Sequence, residues 1–428
     1  MLAFRESIIF IICITCSLGS TDFCTKYGDK IECQEKSKFT RYILYDVNPP
    51  EGFNLRRDVY MRMSVFARKM QQNFGDWHLV LPPWGQLYHW QSIDVGLQEL
   101  LPWSLFFNVS SLQQFAPVME MHQFLQEIGT SSLDLVYILQ HYADAFESGK
   151  WEEKFEVEPC HEDNKYTHVN VGNYRGPFWG YTNITAKQVE CLSFHGHASQ
   201  LQEVIKDLDA RTIMFDHAEI ALHDTFGDAL YWKARRSMRF ASVLVKLASN
   251  FRSEYLNSTD KADGTVRPDD WTQETPREGV LGGPYLCAHM RRKDFLWGRP
   301  KQIPSLESAA HQIKDHLEKL KLSTIFIATD APNSEFQELE QHLSQYQVLR
   351  YKPSKIVKQT YKDGGVAIID QIICSHARYF LGTYESTFSF RIQEEREIMG
   401  FDSETTFNRL CGDKEKKCNK PSMWRIVF

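Results

Sequence analysis

Residues 41–54 read R-Y-I-L-Y-D-V-N-P-P-E-G-F-N, an apolar run that breaks at two prolines and reaches a glycine where a helix begins. Leu55, Val59, Met63, Phe66 and Met70 then recur at helical spacing, with Asn54 placed before them as an N-cap. A helix N-terminus carries unpaired N–H groups and a partial positive charge, so this turn suits a phosphate or a sugar with the Glu51 carboxylate facing it. The plainer reading is that Glu51 neutralises Arg56 or Arg57, or sits exposed in a Pro-Gly turn.

Outward from this stretch, the apolar run at 42–47, the helix from Leu55 and W-H-L-V-L-P-P-W at 77–84 make a strand, helix, strand unit, the start of a parallel sheet. One long helical pattern covers about 228–256, and 261–284, rich in Asp, Gly, Pro and Thr, reads as an interdomain linker or surface loop. The second half alternates: a strand at 284–290, a helix marked by Leu306, Ala310, Ile313, Leu317 and Leu320, strands at 324–328 and 348–351, an apolar helix at 366–374, a strand at 379–382 and a helix from near Ser386. That is a Rossmann-like, doubly wound α/β pattern, and two such halves imply a ligand in the cleft between them. The expected division is a leader at 1–20, an acceptor-side domain at 21–257 and a donor-side domain at 258–428.

The chain of 428 residues, 43% hydrophobic and 24% charged, has material for two cores, which excludes a disordered or fibrous protein. A net charge of −6 gives no nucleic-acid footprint. Arg5, the apolar run at 8–18 and the small residues Ser17 and Gly19 read as a secretory signal peptide, too short to span a bilayer, and no later stretch approaches membrane length. A soluble lumenal protein is expected, which gives meaning to the sequons at Asn108, Asn183 and Asn257. Eight cysteines remain after the leader, and short separation favours Cys24–Cys33, Cys160–Cys191 and Cys411–Cys418. Cys287 and Cys374 lie in apolar runs where buried free thiols fit at least as well as a disulfide. The basic run at 413–420 reads as a solvated loop.

P-P-E-G-F-N-L-R-R-D-V-Y from Pro49, H-M-R-R-K-D-F at 289–295, F-I-A-T-D-A at 326–331 and S-T-F-S-F-R-I-Q-E-E-R-E at 386–397, in that order, resemble the thrombospondin-repeat class of the protein O-fucosyltransferase family. The likeness runs from about Arg41 to the C-terminus. It implies the two-domain GT-B glycosyltransferase fold and inverting transfer of L-fucose from GDP-β-L-fucose to Ser or Thr hydroxyls of folded thrombospondin type 1 repeats in the endoplasmic reticulum. Carried onto this chain, it places the donor against Pro50, Glu51, Gly52, Phe53, Asn54, His289, Met290, Arg291, Asp370, Ser386, Thr387 and Phe388. Glu51 would be the general base, Arg291 the ligand of the departing phosphate and Asp370 the reader of the nucleotide base. Glu395 matches a position needed for activity, with no chemical step attached. Runner-up readings are an enzyme acting on EGF-like repeats and a lectin-like or chaperone protein that binds repeats without chemistry.

Residue chemistry bears on these positions independently. Arg291 follows a strand and would project into the cleft as a forked phosphate donor, whereas Arg292 and Lys293 are expected to face water. Ser386-Thr387-Phe388 opens a helix after a strand and offers N–H groups to a phosphate without a metal, although alone it is an ordinary cap. Glu394 and Glu397 read as a solvated helix face, and an exposed helix charge is the bland reading of Asp370. Asp207-Leu-Asp209 mimics a metal-binding pair but lies in a helical stretch, and His195-Gly-His197 has no partner at ligand spacing, so no metal cofactor is expected. Trp84, Tyr88, His89 and Trp90 can line an acceptor groove, with core packing the default. The C-terminus, R-I-V-F, carries no retrieval signal of the K-D-E-L type.

Overall fold

The computed structural model describes residues 39–142 and 152–428, apart from 86, 162–164, 407 and 416, together with the backbone of the antiparallel strands Phe23–Tyr27 and Lys30–Gln34. The leader reading at 1–20 lies outside these residues. So do the side chains of Cys24 and Cys33, whose backbone positions stand opposite each other in that hairpin.

Strand β1 (Arg41–Tyr45) leads through the Pro-Pro-Glu-Gly turn into helix α1 (Phe53–Phe74). The helix starts two residues earlier than its apolar spacing suggests: Gly52 is the N-cap, and no side chain caps it. Asn54 is turned elsewhere, its Oδ1 accepting from Gln371 at 2.8 Å and Arg57 at 3.2 Å. Val59, Met63, Phe66 and Met70 are buried against the sheet, as their period requires. Strands β2 (Trp77–Leu81), β3 (Val118–Glu120), β4 (Ser132–Gln140), β5 (Thr185–His195) and β6 (Thr212–Asp216) complete a parallel core in the order β3-β2-β1-β6-β4-β5. Lys154–Glu158 and Asn173–Arg175 add antiparallel pairing on β5. The chain leaves β1 toward β2 on one side while β6 returns on the other, so the turn carrying Glu51 sits at a topological switch point.

Helices α2 (Ala229–Ser237) and α3 (Ser242–Tyr255) replace the single helix expected over 228–256. The break forms because 239–241 pairs with 106–108: Asn108 N–H donates to Arg239 O and Ala241 N–H to Phe106 O, each at 2.9 Å. These non-local bonds outweigh helix continuation and leave no trace in the local pattern. The supposed linker at 261–284 is partly packed structure. Trp271 is buried with its indole N–H on Ser111 O at 3.2 Å, and buried Glu274 takes Arg239 and Arg267 at 2.9 and 2.7 Å.

The second sheet holds β7 (Gly283–Met290), β8 (Thr324–Thr329), β9 (Gln347–Leu349) and β10 (Ala377–Leu381), all parallel, in the order β9-β8-β7-β10. Helices α4 (Leu306–Leu320), α5 (Asn333–His342), α6 (Lys355–Ser375) and α7 (Thr387–Met399) alternate with these strands and follow them. Its switch point lies between β7 and β10, at the loops carrying Arg291 and Ser386.

Three expectations fail, each for a non-local reason. Cys287 and Cys374 form a disulfide between β7 and α6, with Cα atoms 5.2 Å apart, rather than free thiols; Cys160–Cys191 and Cys411–Cys418 pair as expected. Arg292 is buried, with Nε on Glu335 at 2.7 Å and Nη1 on Pro304 O at 2.7 Å, while Lys293 is exposed. Glu394 and Glu397 are enclosed, at 1% and 3% exposure, because α7 lies between the two halves and the charges facing it are complementary. Glu394 takes Arg235 at 2.5 Å, Arg391 at 3.1 Å and the Tyr231 hydroxyl at 2.5 Å. Glu397 accepts from Ile426 N–H at 3.2 Å and pairs with Arg425 at 3.3 Å. Among the described residues no helix is long and apolar enough to cross a membrane.

Candidate active site

The two switch points face each other across a cleft of about 620 Å³. Pro50, Glu51, Gly52, Phe53 and Asn54 line it from the first half, and His289, Arg291, Asp370, Ser386, Thr387 and Phe388 from the second. Met290 does not line it: the strand alternation turns it into the apolar core of the second half. Glu395 does not line it either. It is buried on α7, where Arg235 at 2.9 Å and Arg267 at 2.6 Å hold it. Although burial works in the opposite direction, Arg235, Arg267 and Arg239 bring its carboxyl down to about 2.

The Glu51 turn is built from inside by Arg56, which donates to the carbonyls of Glu51, Val47 and Asn48 at 3.1, 3.0 and 3.2 Å and pairs with Asp46 at 3.4 Å. Arg57 instead reaches Gln371 of α6 at 2.7 Å. Among the described residues no hydrogen bond or ion pair engages the Glu51 carboxylate, so neither arginine neutralises it. Gly52 lets the His89 ring approach closely: a Cβ there would stand 3.0 Å from its Cδ2 and press the ring away.

Arg291 is fixed on three edges. Nε donates to Asp294 at 2.8 Å, Nη1 pairs with Asp330 at 3.2 Å, and Nη2 donates to His89 Nδ1 at 2.9 Å. His289 is buried beneath, stacked on Phe388 at 4.3 Å with Nδ1 2.8 Å from Ser389 Oγ; burial, then Arg291, lowers it to about 3, so it is neutral. Helices α1 and α7 both point their N-termini at the cleft, and neither has an acidic residue in its first turn to occupy the free N–H groups. Their dipoles and N–H groups, with Arg291, make a site for a doubly charged anion.

Beyond Asp370 the cleft continues into a chamber of about 570 Å³ with Arg350, Lys352, Lys355 and Lys358 on its wall. Asp370 is no simple exposed charge: its Oδ1 is shielded and unpartnered, and burial, opposed by Arg350, raises the carboxyl to about 8. At neutral pH this burial therefore holds the carboxyl largely protonated, and a ligand with N–H donors would favour its ionised, accepting form.

The residues 87–98 cross from the first half to α6 and roof this cleft. Ser92 N–H and Gln98 Nε2 donate to Asp363 at 3.1 and 3.0 Å, Lys358 meets Asp94 at 2.7 Å, and Lys362 donates to Val95 O at 2.6 Å. Of the four aromatic positions, Trp84 is core, Tyr88 is exposed, and His89 and Trp90 line the cleft. Sequence reasoning did not single out Asp294, Asp330 or Asp363; Asp330 stood inside the F-I-A-T-D-A string, whose strand end was the only signal. Asp207 and Asp209 are exposed, before β6 and at the sheet end remote from the cleft. His195 and His197 are held by Glu152 O at 2.8 Å and by Glu153. The described residues bring three metal-competent side chains together at Cys411, Glu415 and Cys418, where both sulfurs are already in a disulfide.

Comparison places this arrangement among known proteins. Residues 42–399 match the family model described as O-FucT, GDP-fucose protein O-fucosyltransferase. Proteins named GDP-fucose protein O-fucosyltransferase 2 are 49% identical over 390 residues in Pan troglodytes (91% of this chain, 90% of that one) and 44% over 394 residues in Caenorhabditis elegans (91% and 90%). The fold is similar to that of POFUT1 crystallised with GDP, with a TM-score of 0.57 at 17% identity over 88% of this chain and 99% of that chain. Two Rossmann-like halves across a cleft are the GT-B arrangement, and the chain belongs to the GDP-fucose protein O-fucosyltransferase family, a family of glycosyltransferases.

Proposed function

We propose that this chain transfers L-fucose from GDP-β-L-fucose, with inversion, to a Ser or Thr hydroxyl on folded thrombospondin type 1 repeats in the lumen of the endoplasmic reticulum. The observation that carries the reading is the placement of an unengaged carboxylate, Glu51, and a fixed guanidinium, Arg291, on opposite walls of one cleft. A hydroxyl is a poor nucleophile at neutral pH, so Glu51 takes its proton as the oxygen bonds to the anomeric carbon. The bond from that carbon to the β-phosphate oxygen breaks on the other face, and its electron pair leaves on GDP. Arg291 and the α7 N–H groups at Thr387 and Phe388 offset the charge that develops there. Asp370 faces the paired N–H donors of the guanine, and its unpartnered oxygen supports that role.

The test is incubation of the purified chain with GDP-fucose and matched folded repeats of the thrombospondin and EGF-like classes. Transfer to the first class alone supports the reading. Transfer to the second makes this an EGF-repeat enzyme, and binding without transfer makes it a lectin or chaperone. Because protein groups can handle the phosphate charge, activity should survive a strong chelator; loss in EDTA, restored by Mn²⁺ or Mg²⁺, would refute that. A wide cleft recognises a shaped acceptor better than a short linear one. Folded repeats should therefore be modified and reduced, alkylated ones should not, and equal rates on both would remove the folded repeat as the acceptor.

A further inference from the structure

His89 touches both walls of the cleft. Its Cδ2 edge packs against Gly52, in the turn that carries Glu51, so closely that a Cβ there would stand 3.0 Å away and the ring would have to shift. Its Nδ1 lies 2.9 Å from Nη2 of Arg291. Nε2 lies 3.3 Å from the same Nη2, and since a guanidinium only donates, an unprotonated ring nitrogen, Nδ1 at the shorter distance, accepts from it. The groups facing this ring are Arg291 and Lys293, both cationic, and Asp294 and Asp330, both anionic. The two carboxylates take the Nε and Nη1 sides of Arg291 and leave the Nη2 side to His89.

We propose that His89 is a positioning residue for fucosyl transfer: carried over the cleft by residues 87–98, it closes the third edge of the Arg291 guanidinium and fixes that group against the departing diphosphate. The inference rests on the reaction proposed above. A forked donor held on two edges still pivots about them; held on three, it presents one orientation. Stabilising charge that appears only in the transition state depends on that orientation more than ground-state binding does. The segment delivering the ring is itself pinned to α6 through Asp363, Lys358 and Lys362, so its position is set by both halves together.

The experiment compares His89→Ala with His89→Asn, whose side-chain oxygen replaces Nδ1 at nearly the same reach. In the alanine variant kcat should fall about tenfold or more, a misorientation penalty, while KM for GDP-fucose changes by less than about threefold. The asparagine variant should recover most of kcat. Wild-type kcat in His89→Ala, or equal loss in both variants, would overturn the proposal. A readout that needs no turnover separates this failure from failure of the functional reading. Desolvation in the cleft and then Arg291 hold the His89 titration below the ordinary histidine value of about 6.5. Followed by NMR in free protein, it should lie low and move upward in Arg291→Ala. A titration indifferent to Arg291 would break the link even if the wild-type chain transferred fucose.

Discussion

Replacing Glu51 by alanine should lower kcat by about 10²-fold or more, the scale of general acid–base catalysis, while GDP-fucose still binds. The expectation follows from the division of labour in the cleft. Arg56 builds the turn by binding backbone carbonyls, so removing the Glu51 carboxylate deletes a reacting group without deleting a support. Glu51→Gln, which keeps size and hydrogen bonding but cannot accept the proton, should be similarly slow. Single-turnover rates paired with calorimetry decide it. Near-wild-type turnover would remove Glu51 from the mechanism, and lost GDP-fucose binding would reassign it to the donor site.

The second large effect is on stability. Glu394→Ala should destabilise the fold by about 3–5 kcal/mol, the usual cost of removing one partner from a buried ionic group. Buried Arg235 would be left with Glu395 alone and Arg391 with Asp58 at 3.5 Å, each having lost its Glu394 contact, and the Tyr231 hydroxyl would lose its acceptor. Chemical denaturation of the wild-type and variant chains measures this, and a loss under about 1 kcal/mol would refute it. The same network has an acid limit. Glu395 is depressed to about 2 by Arg235, Arg267 and Arg239 against the effect of burial, so its contribution is complete above its unfolded value of about 4.3. That contribution is lost as the pH falls toward 2, and unfolding curves should show the decline in that window.

Much of the candidate cleft is written locally, which explains why the sequence shows it. A strand, a Pro-Pro-Glu-Gly turn and an amphipathic helix occupy one continuous stretch, and the second half repeats the alternation with ligand residues at strand ends. What escaped reading depends on contacts far apart in the chain. The charges of α7 look solvated until the arginines of α2 and of 267 are brought against them, since periodicity reports which face is apolar and not which charges will be matched. Cys287 and Cys374 lie in apolar runs that suit thiols equally well, and only the packing of β7 on α6 brings them together. His89 sits in an aromatic run, where burial is the ordinary expectation, and its approach to Arg291 spans 202 positions. The helix break at 238–241 came from pairing with 106–108, which no local propensity encodes.

The covalent link between β7 and α6 has a consequence for when the protein becomes active. It joins the strand that leads into Arg291 to the helix that carries Asp370, so one oxidation event secures both the proposed phosphate end and the proposed base end of the cleft. The proposed acceptors are themselves modules that reach their shape through disulfides. Catalyst and acceptor would then ripen on the same oxidative clock: a newly made chain emerging where thiols stay reduced would lack a fastened donor site and would also meet no acceptor worth modifying. Readiness to transfer the sugar would thus coincide with the presence of finished repeats without any separate signal to synchronise them.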